Sequence, residues 1–237
     1  MAFLCTRVKE PTTYDWFKLT RMMDFLQKTV DDSLIIRIGD LSKTVFSVDA
    51  SFAVHPDGQS HTGMTMKMGS GAIISLSRKQ KLVTRSSTEA ELVAVDDCMT
   101  HVLWTKYFLE AQGYPTKATV ILQDNSSAIK LENNGRKSVG QRSRHIHQRC
   151  FFITDQIKKG NVTVEYCPTD DMESDYMTKP CQGSRFDRHR STIMNQRPNP
   201  RFKSKASKTV KTVAFGPVTF YGTDTSHDWT HKRTDTW

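Results

Sequence analysis

Four short acidic stretches hold the side chains of this 237-residue chain best suited to chemistry. They read Ser47-Val48-Asp49-Ala50, Ser86-Ser87-Thr88-Glu89-Ala90-Glu91-Leu92, Leu122-Gln123-Asp124-Asn125 and Met172-Glu173-Ser174-Asp175-Tyr176. Each acid stands at the end of a strand-like apolar run or at the start of a helix-like one. Brought together, such acids form a carboxylate cage for two divalent ions, one preparing water as nucleophile and the other stabilising a departing oxygen, as phosphodiester hydrolysis requires. Magnesium suits the cage because it takes oxygen ligands and keeps several waters, so few carboxylates are needed per ion; manganese is the alternative. Without metal the converging charges repel, which raises carboxyl pKa values and makes stability depend on metal.

The individual acids differ in what else they could do. Asp49 lies within a β-branched strand pattern, where an Asp is unfavourable unless it has a task or an edge position. Glu89 is three residues after Ser86, the spacing of a capping box, and is expected to accept the Ser86 N–H. Glu91 has no such duty, and its neighbours Ala90 and Ala94 leave room for close sheet packing, so Glu91 is the expected metal ligand. Asp124 ends a strand, where α/β proteins gather ligand groups; capping of the next helix is the other role open to it. Asp175 belongs to a cluster with Asp170, Asp171 and Glu173 that by itself would read as a solvated helix N-terminus. Only the other three acids single it out. His145, His147 and Cys150 lack the fourth partner of a zinc site. There is no Gly-rich phosphate loop, GxSxG or HExxH. Asp96 and Asp97 are expected to face water.

The elements that must position these acids can be read from periodicity. Residues 1–40 look helical and then irregular, with Trp16, Leu19, Met22, Met23, Phe25 and Leu26 at roughly helical spacing after Pro11. Strands are expected at 44–51, 64–68 and 72–77, separated by the hairpin sequence HPDGQSHTG and the turn Gly69-Ser70-Gly71. Residues 86–112 are the strongest helix, with Leu92, Val95, Met99, Val102, Leu103 and Phe108 as its apolar face and Gly113 as its stop. A strand at 118–123, a short helix from Asp124-Asn125-Ser126, a polar loop at 133–141 and a helix at 145–159 follow. The chain then gives a strand at 162–167 and helices at 172–178 and 185–194. The order β-β-β-α-β-α-α-β-α predicts a mixed, partly parallel α/β sheet with helices packed against it.

Composition bounds the rest. At 37% hydrophobic content the chain can bury a real core, and its net charge of +9 fits a polyanionic partner such as nucleic acid. The charge is uneven: residues 196–237 hold eight Lys/Arg against three Asp/Glu, a surplus of +5, and their Pro and Lys content reads as a disordered basic tail. Five cysteines, odd in number and without CxxC spacing, argue against a disulfide framework and for a reducing, intracellular compartment, cytoplasmic or nuclear. No apolar run approaches a membrane span of ~20 residues, and the N-terminus lacks the apolar core of a signal peptide.

Taken in order, FLCTRVKEPTTYDWFKLTRMMDFLQKT, SVDASFA, RKQKLVTRSSTEAELVA, LQDNSSAI, SRHIHQRCFFITDQI, VEYCPTDDMESDYMTKP and QGSRFDRHRSTIMN resemble the ribonuclease H domain of copia-type retrotransposon polyproteins, preceded by the end of the reverse transcriptase. The resemblance covers about residues 2–195, and the STEAE block after SRKQK is its most specific part. It implies a ribonuclease H-like five-stranded mixed sheet with helices on both faces, at 41–195. It implies a helical remnant of the polymerase at 1–40 and leaves 196–237 outside the family pattern. By position, Asp49, Glu91, Asp124 and Asp175 correspond to four catalytic acids that hold two Mg2+ (or Mn2+) ions and cut the RNA strand of an RNA–DNA hybrid. The polymerase Tyr-x-Asp-Asp motif is absent, so no DNA synthesis is expected. A reverse transcriptase polymerase domain is an expected partner, and the fragment itself is expected to be monomeric.

The wide minor groove of a hybrid shows 2′-OH groups on one strand only. Ser87, Asn125 and Ser126 are candidates to read them, and Arg78, Lys79, Lys81, Arg85, Arg142 and Arg144 to hold phosphates. The competing reading is a non-catalytic ribonuclease H-like module that binds nucleic acid or a partner. A transposase or integrase on the same fold would need a late Glu where Lys159 stands, with Glu165 further on.

Overall fold

The computed structural model describes residues 2–135 and 144–196. A one-turn helix α1 (Ala2–Cys5) and a longer helix α2 (Thr13–Lys28) come first. The start of α2 is a full capping box: Thr12 accepts the Asp15 N–H while Asp15 accepts the Thr12 N–H at 2.9 Å. Strand β1 (Arg37–Ile38) pairs with β4 (Gly69–Ser70) in a two-stranded sheet, so the expected Gly69-Ser70-Gly71 turn also holds down the N-terminal arm.

The main sheet has five strands. β2 (Val45–Ser51), β3 (His61–Lys67) and β5 (Ile74–Lys79) run antiparallel, and β6 (Thr119–Gln123) and β7 (Val162–Tyr166) run parallel to β2. The strand order is β5-β3-β2-β6-β7, the mixed sheet that the sequence predicts. β3 begins three residues before its expected start, because His61, Thr62 and Gly63 pair with β2 instead of belonging to the hairpin loop. β5 likewise runs two residues past its expected end, to Lys79.

Helix α3 (Ser87–Ala111), α4 (Ser126–Asn134) and α5 (Arg144–Lys158) cover one face. Phe46 and Val48 of β2 point there, against Leu92, Val95, Met99 and Val102 of α3, all fully buried. Burying each such side chain stabilises the fold by about 1.5–3 kcal/mol. Phe108, expected on this apolar face, instead stacks on Trp104 at the surface, with ring centres 5.1 Å apart. Asp96 and Asp97, expected to face water, are half-buried, because Arg149 of α5 reaches both, at 2.6 and 3.1 Å. All five cysteines are free.

Residues 169–178 pack on the other face against β2, β3 and β5, and α1 also meets β5. The expected 172–178 helix shrinks to a 3-10 turn (Thr169–Asp171) and one helical turn, α6 (Asp175–Thr178). Ser47 anchors this segment, bonding the Ser174 hydroxyl at 3.0 Å and the Met172 sulfur at 2.9 Å. Directly across from Asp49 in the β2–β3 register lies Gly63. A Cβ at Gly63 would stand 2.6 Å from Thr178 Cγ2 and 2.8 Å from the Ser174 carbonyl oxygen, so this glycine is the seat of α6. Helix α7 (Gly183–Met194) closes the domain and ties to the arm: the Ile35 N–H donates to the Met194 carbonyl, and Phe186 packs edge-on against Phe25.

Gly63→Ala is therefore expected to cost about 1–3 kcal/mol of stability through overpacking. It is also expected to displace α6, seen as chemical-shift changes in residues 172–179 rather than on the α3 face. Unchanged shifts there would show that α6 does not depend on that seat.

Candidate functional site

Two of the acids meet because of strand register. Ser47 of β2 pairs with Leu122 of β6, and each strand carries an acid two residues further on, Asp49 and Asp124. Parallel strands thus bring both carboxylates to the same level, at the C-terminal edge of the sheet. α6, seated on Gly63, adds Asp175 from the other side. Asp49, Asp124 and Asp175 each offer an oxygen, and these oxygens lie within 4.8 Å of one another. Such a group could hold metal ions.

Glu91 approaches from α3. Pairing of β2 with β6 stops at Ser47, so the Ala50 N–H is left over beyond it, near enough to the Glu91 carboxylate to favour its charged form. Glu91 Oε2 is buried with no hydrogen-bond partner among the described residues. Burial, then the charges of Asp49 and Asp124, push the Glu91 carboxyl up to about 9. Burial is also the main reason Asp49 is raised, to about 6; Lys179 and Thr178 work against it and Asp175 and Asp124 add to it. An orphaned buried carboxylate oxygen beside three clustered acids is a donor set of hard oxygens that fits magnesium or manganese.

Glu89 serves the start of α3, though not through the bond expected of it. Ser86 caps α3 by accepting the Glu89 N–H at 3.2 Å, but Glu89 returns its bond to the Arg85 N–H at 2.7 Å, not to that of Ser86. Asp124 is not the cap of α4. Asn125 takes that role, its Oδ1 accepting the Ser127 and Ala128 N–H groups, and among the described residues Asp124 accepts from the Thr169 hydroxyl, at 2.8 Å.

Sequence reasoning missed the cations of the site. Lys179 Nζ lies 2.5 Å from Asp175 Oδ1 and 3.4 Å from Asp49 Oδ1, Arg185 bonds Asp175 Oδ2, and the Thr178 hydroxyl bonds Asp49 Oδ2. The spacing of Asp175 and Lys179, four apart across a helical turn, was the available signal. Of the nucleic-acid candidates, Arg78 pairs with Asp97 at 3.6 Å and Lys79 with Asp57. Ser87, Ser126, Lys81 and Arg85 are exposed at the starts of α4 and α3 and in the turn before α3. Arg142 lies outside the described residues, as does the side chain of Arg144. A cleft of about 650 Å³, lined by Ser51, His55, His61, Thr178 and Lys179 among others, opens beside the acids.

The five-stranded mixed sheet, with Asp49 inside its first main strand and Asp124 just past the end of its fourth, has the arrangement expected of a ribonuclease H-like fold. No family model matches the chain. It is 33% identical over 173 residues to the Retrovirus-related Pol polyprotein from transposon RE2 of Arabidopsis thaliana, covering 72% of this chain and 12% of that protein. It is 28% identical over 181 residues to the corresponding polyprotein from transposon TNT 1-94 of Nicotiana tabacum, covering 76% of this chain and 13% of that protein. The chain belongs to the copia-type retrotransposon Pol polyproteins, and spans about an eighth of the length of these curated relatives. It is also similar to LC11-RNase H1, isolated from compost, at a TM-score of 0.43 and 11% identity over 57% of this chain and 92% of that one. No helix among the described residues is long and apolar enough to cross a membrane.

The raised carboxyls set a pH signature. A carboxyl whose folded pKa is raised contributes stability that is complete below its unfolded value and is lost as pH rises through the folded one. For Asp49 that loss runs to about pH 6 and for Glu91 to about pH 9. The Tm of metal-free protein is expected to fall between pH 5 and pH 9, and added Mg2+ to restore it most at the alkaline end, where protons compete least. Glu91→Gln should flatten the alkaline part of the metal-free curve. Glu89→Gln should leave the curve's shape and cost at most ~1 kcal/mol through the weakened helix start. The opposite pattern would mean that Glu89 is the site residue.

Proposed function

We propose that this chain is a metal-dependent ribonuclease H that cuts the RNA strand of RNA–DNA hybrids as part of a retrotransposon Pol polyprotein. The observation that carries the reading is the convergence of Asp49, Asp124 and Asp175 within 4.8 Å, with the unpartnered Glu91 oxygen beside them. Asp49, Glu91, Asp124 and Asp175 would hold two Mg2+ or Mn2+ ions. When bound, such a pair supplies Lewis acidity toward both an attacking water and a departing oxygen.

The protein's own part is preorganisation. Asp49 is central, since Asp124 and Asp175 flank it and Glu91 feels its charge. Thr178 orients Asp49, Thr169 orients Asp124, and the nearby Ala50 N–H favours the charged form of Glu91. None of these donors lies on a long flexible side chain, so the carboxylates stay aimed at one point before any substrate arrives. Hybrid recognition would come from Ser87, Asn125 and Ser126 at the groove and from Lys81, Arg85, Arg142 and Arg144 at phosphates. Asn125 has its Oδ1 committed to the helix cap, which leaves its amide NH2 for a 2′-OH.

The domain reading belongs to the same proposal: 41–195 as the ribonuclease H unit, 1–40 as the end of the polymerase and 196–237 as a basic tail. The exposed Trp16, Phe17, Met23 and Leu26 of α2 support an arm that once packed on a larger body. One observation favours the non-catalytic alternative, a nucleic-acid- or partner-binding module: Lys179 and Arg185 already neutralise Asp175.

A labelled hybrid incubated with the protein and Mg2+ separates the two. Cleavage is expected, lost by at least ~100-fold in Asp124→Asn with hybrid binding retained, the scale of removing one charge-stabilising group. Binding without cleavage, the same in wild type and Asp124→Asn, would leave only the binding module.

A further inference from the structure

The geometry points to Lys179 as a built-in competitor for the metal site, its ammonium occupying the Asp49–Asp175 side of the acids in the metal-free protein and leaving it when a divalent cation binds. The inference rests on the metal-binding reading above. Asp49 and Asp175 are almost fully buried, and four carboxylates in that corner need positive charge close by. Lys179 supplies it, bridging one oxygen of each aspartate from the C-terminal end of the α6 turn. The bridged atoms are the point. Asp49 Oδ2 is taken by Thr178 and Asp175 Oδ2 by Arg185, so the oxygens facing each other across the site are the two that Lys179 holds. A dication reaching Asp49 and Asp175 together meets the ammonium first.

Lys179 is also free to leave. Its side chain is 38% exposed while those of its partners are 1% and 0% exposed, so the charge sits at the rim of a buried pair. Lys179 lines the neighbouring cleft with Ser51 and Thr178, and its side chain has a flexible four-carbon stem. Rotation of the stem would carry the ammonium from the acids into that cleft without moving the backbone. Arg185 is less suited to this exchange, because it engages only the far oxygen of Asp175 and reaches Asp49 in no described contact.

The test is calorimetric titration of Mg2+ into wild type and Lys179→Met, beside metal-free Tm values. Lys179→Met is expected to bind Mg2+ about tenfold more tightly, the factor that follows if the ammonium covers the acids in roughly nine molecules of ten. Its metal-free Tm should fall and its gain in Tm on adding Mg2+ should exceed that of wild type. Equal or weaker Mg2+ binding by the variant, with wild type binding normally, would overturn the role of Lys179 and leave the metal site standing. No Mg2+ binding by either protein would overturn both.

Should Lys179→Met fail to fold, the wild-type protein gives the same answer by amine acylation followed by peptide mass spectrometry. Saturating Mg2+ should speed modification of Lys179 severalfold relative to Lys81, and no such change would refute the exchange.

Discussion

Asp49 and Asp175 can share a corner of the molecule only because position 63 has no side chain. In an antiparallel pair the residue directly opposite shares a face with its partner. Any larger residue across from Asp49 would fill the ground on which α6 stands. The remaining supports follow from that seat. With α6 in place, Ser47 can hold Ser174, Ser51 can donate to the Thr178 carbonyl at 3.2 Å, and Thr178 can turn its hydroxyl onto Asp49. β2 therefore does two jobs by alternation: Phe46, Val48 and Ala50 build the core, while Ser47, Asp49 and Ser51 grip the segment that carries the fourth acid.

The cost of this convergence is electrostatic. Two of the acids are nearly inaccessible to water, and a third, Glu91, has an oxygen that no group in the described protein satisfies. Desolvation dominates the raised pKa of both Asp49 and Glu91, with like charge second for Glu91. The protein answers unevenly. It places cations on the Asp175 side through Lys179 and Arg185, while among the described residues the Glu91–Asp124 side has neutral groups, the Thr169 hydroxyl on Asp124 and the Ala50 N–H near Glu91. On that side an external cation meets no resident one among the described residues, whereas on the Asp175 side it meets Lys179.

Much of this was legible in the sequence because strands and helix starts have strong local signals. The alternation around Asp49 and the Ser86–Glu89 spacing place two acids without any knowledge of contacts. The mixed, partly parallel character of the sheet was readable too, since three strands in succession followed by strand–helix units admit few arrangements. What was not legible depended on contact between distant segments. The start of β3 was hidden because Gly63 reads as a turn residue, while its real cause is α6, more than a hundred residues later. Asp96 and Asp97 looked solvated because nothing local announces Arg149. Lys179 was overlooked for the same reason: its partner Asp49 lies on another element, and only the contact with Asp175 is local.

At two places a polar pair shares work in a way that leaves one carboxylate free. At the start of α3, Glu89 spends its charge on the Arg85 N–H, and Glu91, two residues on, faces inward. At the start of α4, Asn125 satisfies the first N–H groups with a neutral amide oxygen, so Asp124 is not drawn into the cap. The choice of residue matters physically. An aspartate at the cap would gain from the helix dipole and be held there, whereas asparagine caps about as well without adding a further negative charge to a crowded corner. Capping and metal holding both need carboxylate-like oxygens at the ends of strands and the beginnings of helices. The fold keeps them apart by giving each task to a different neighbour.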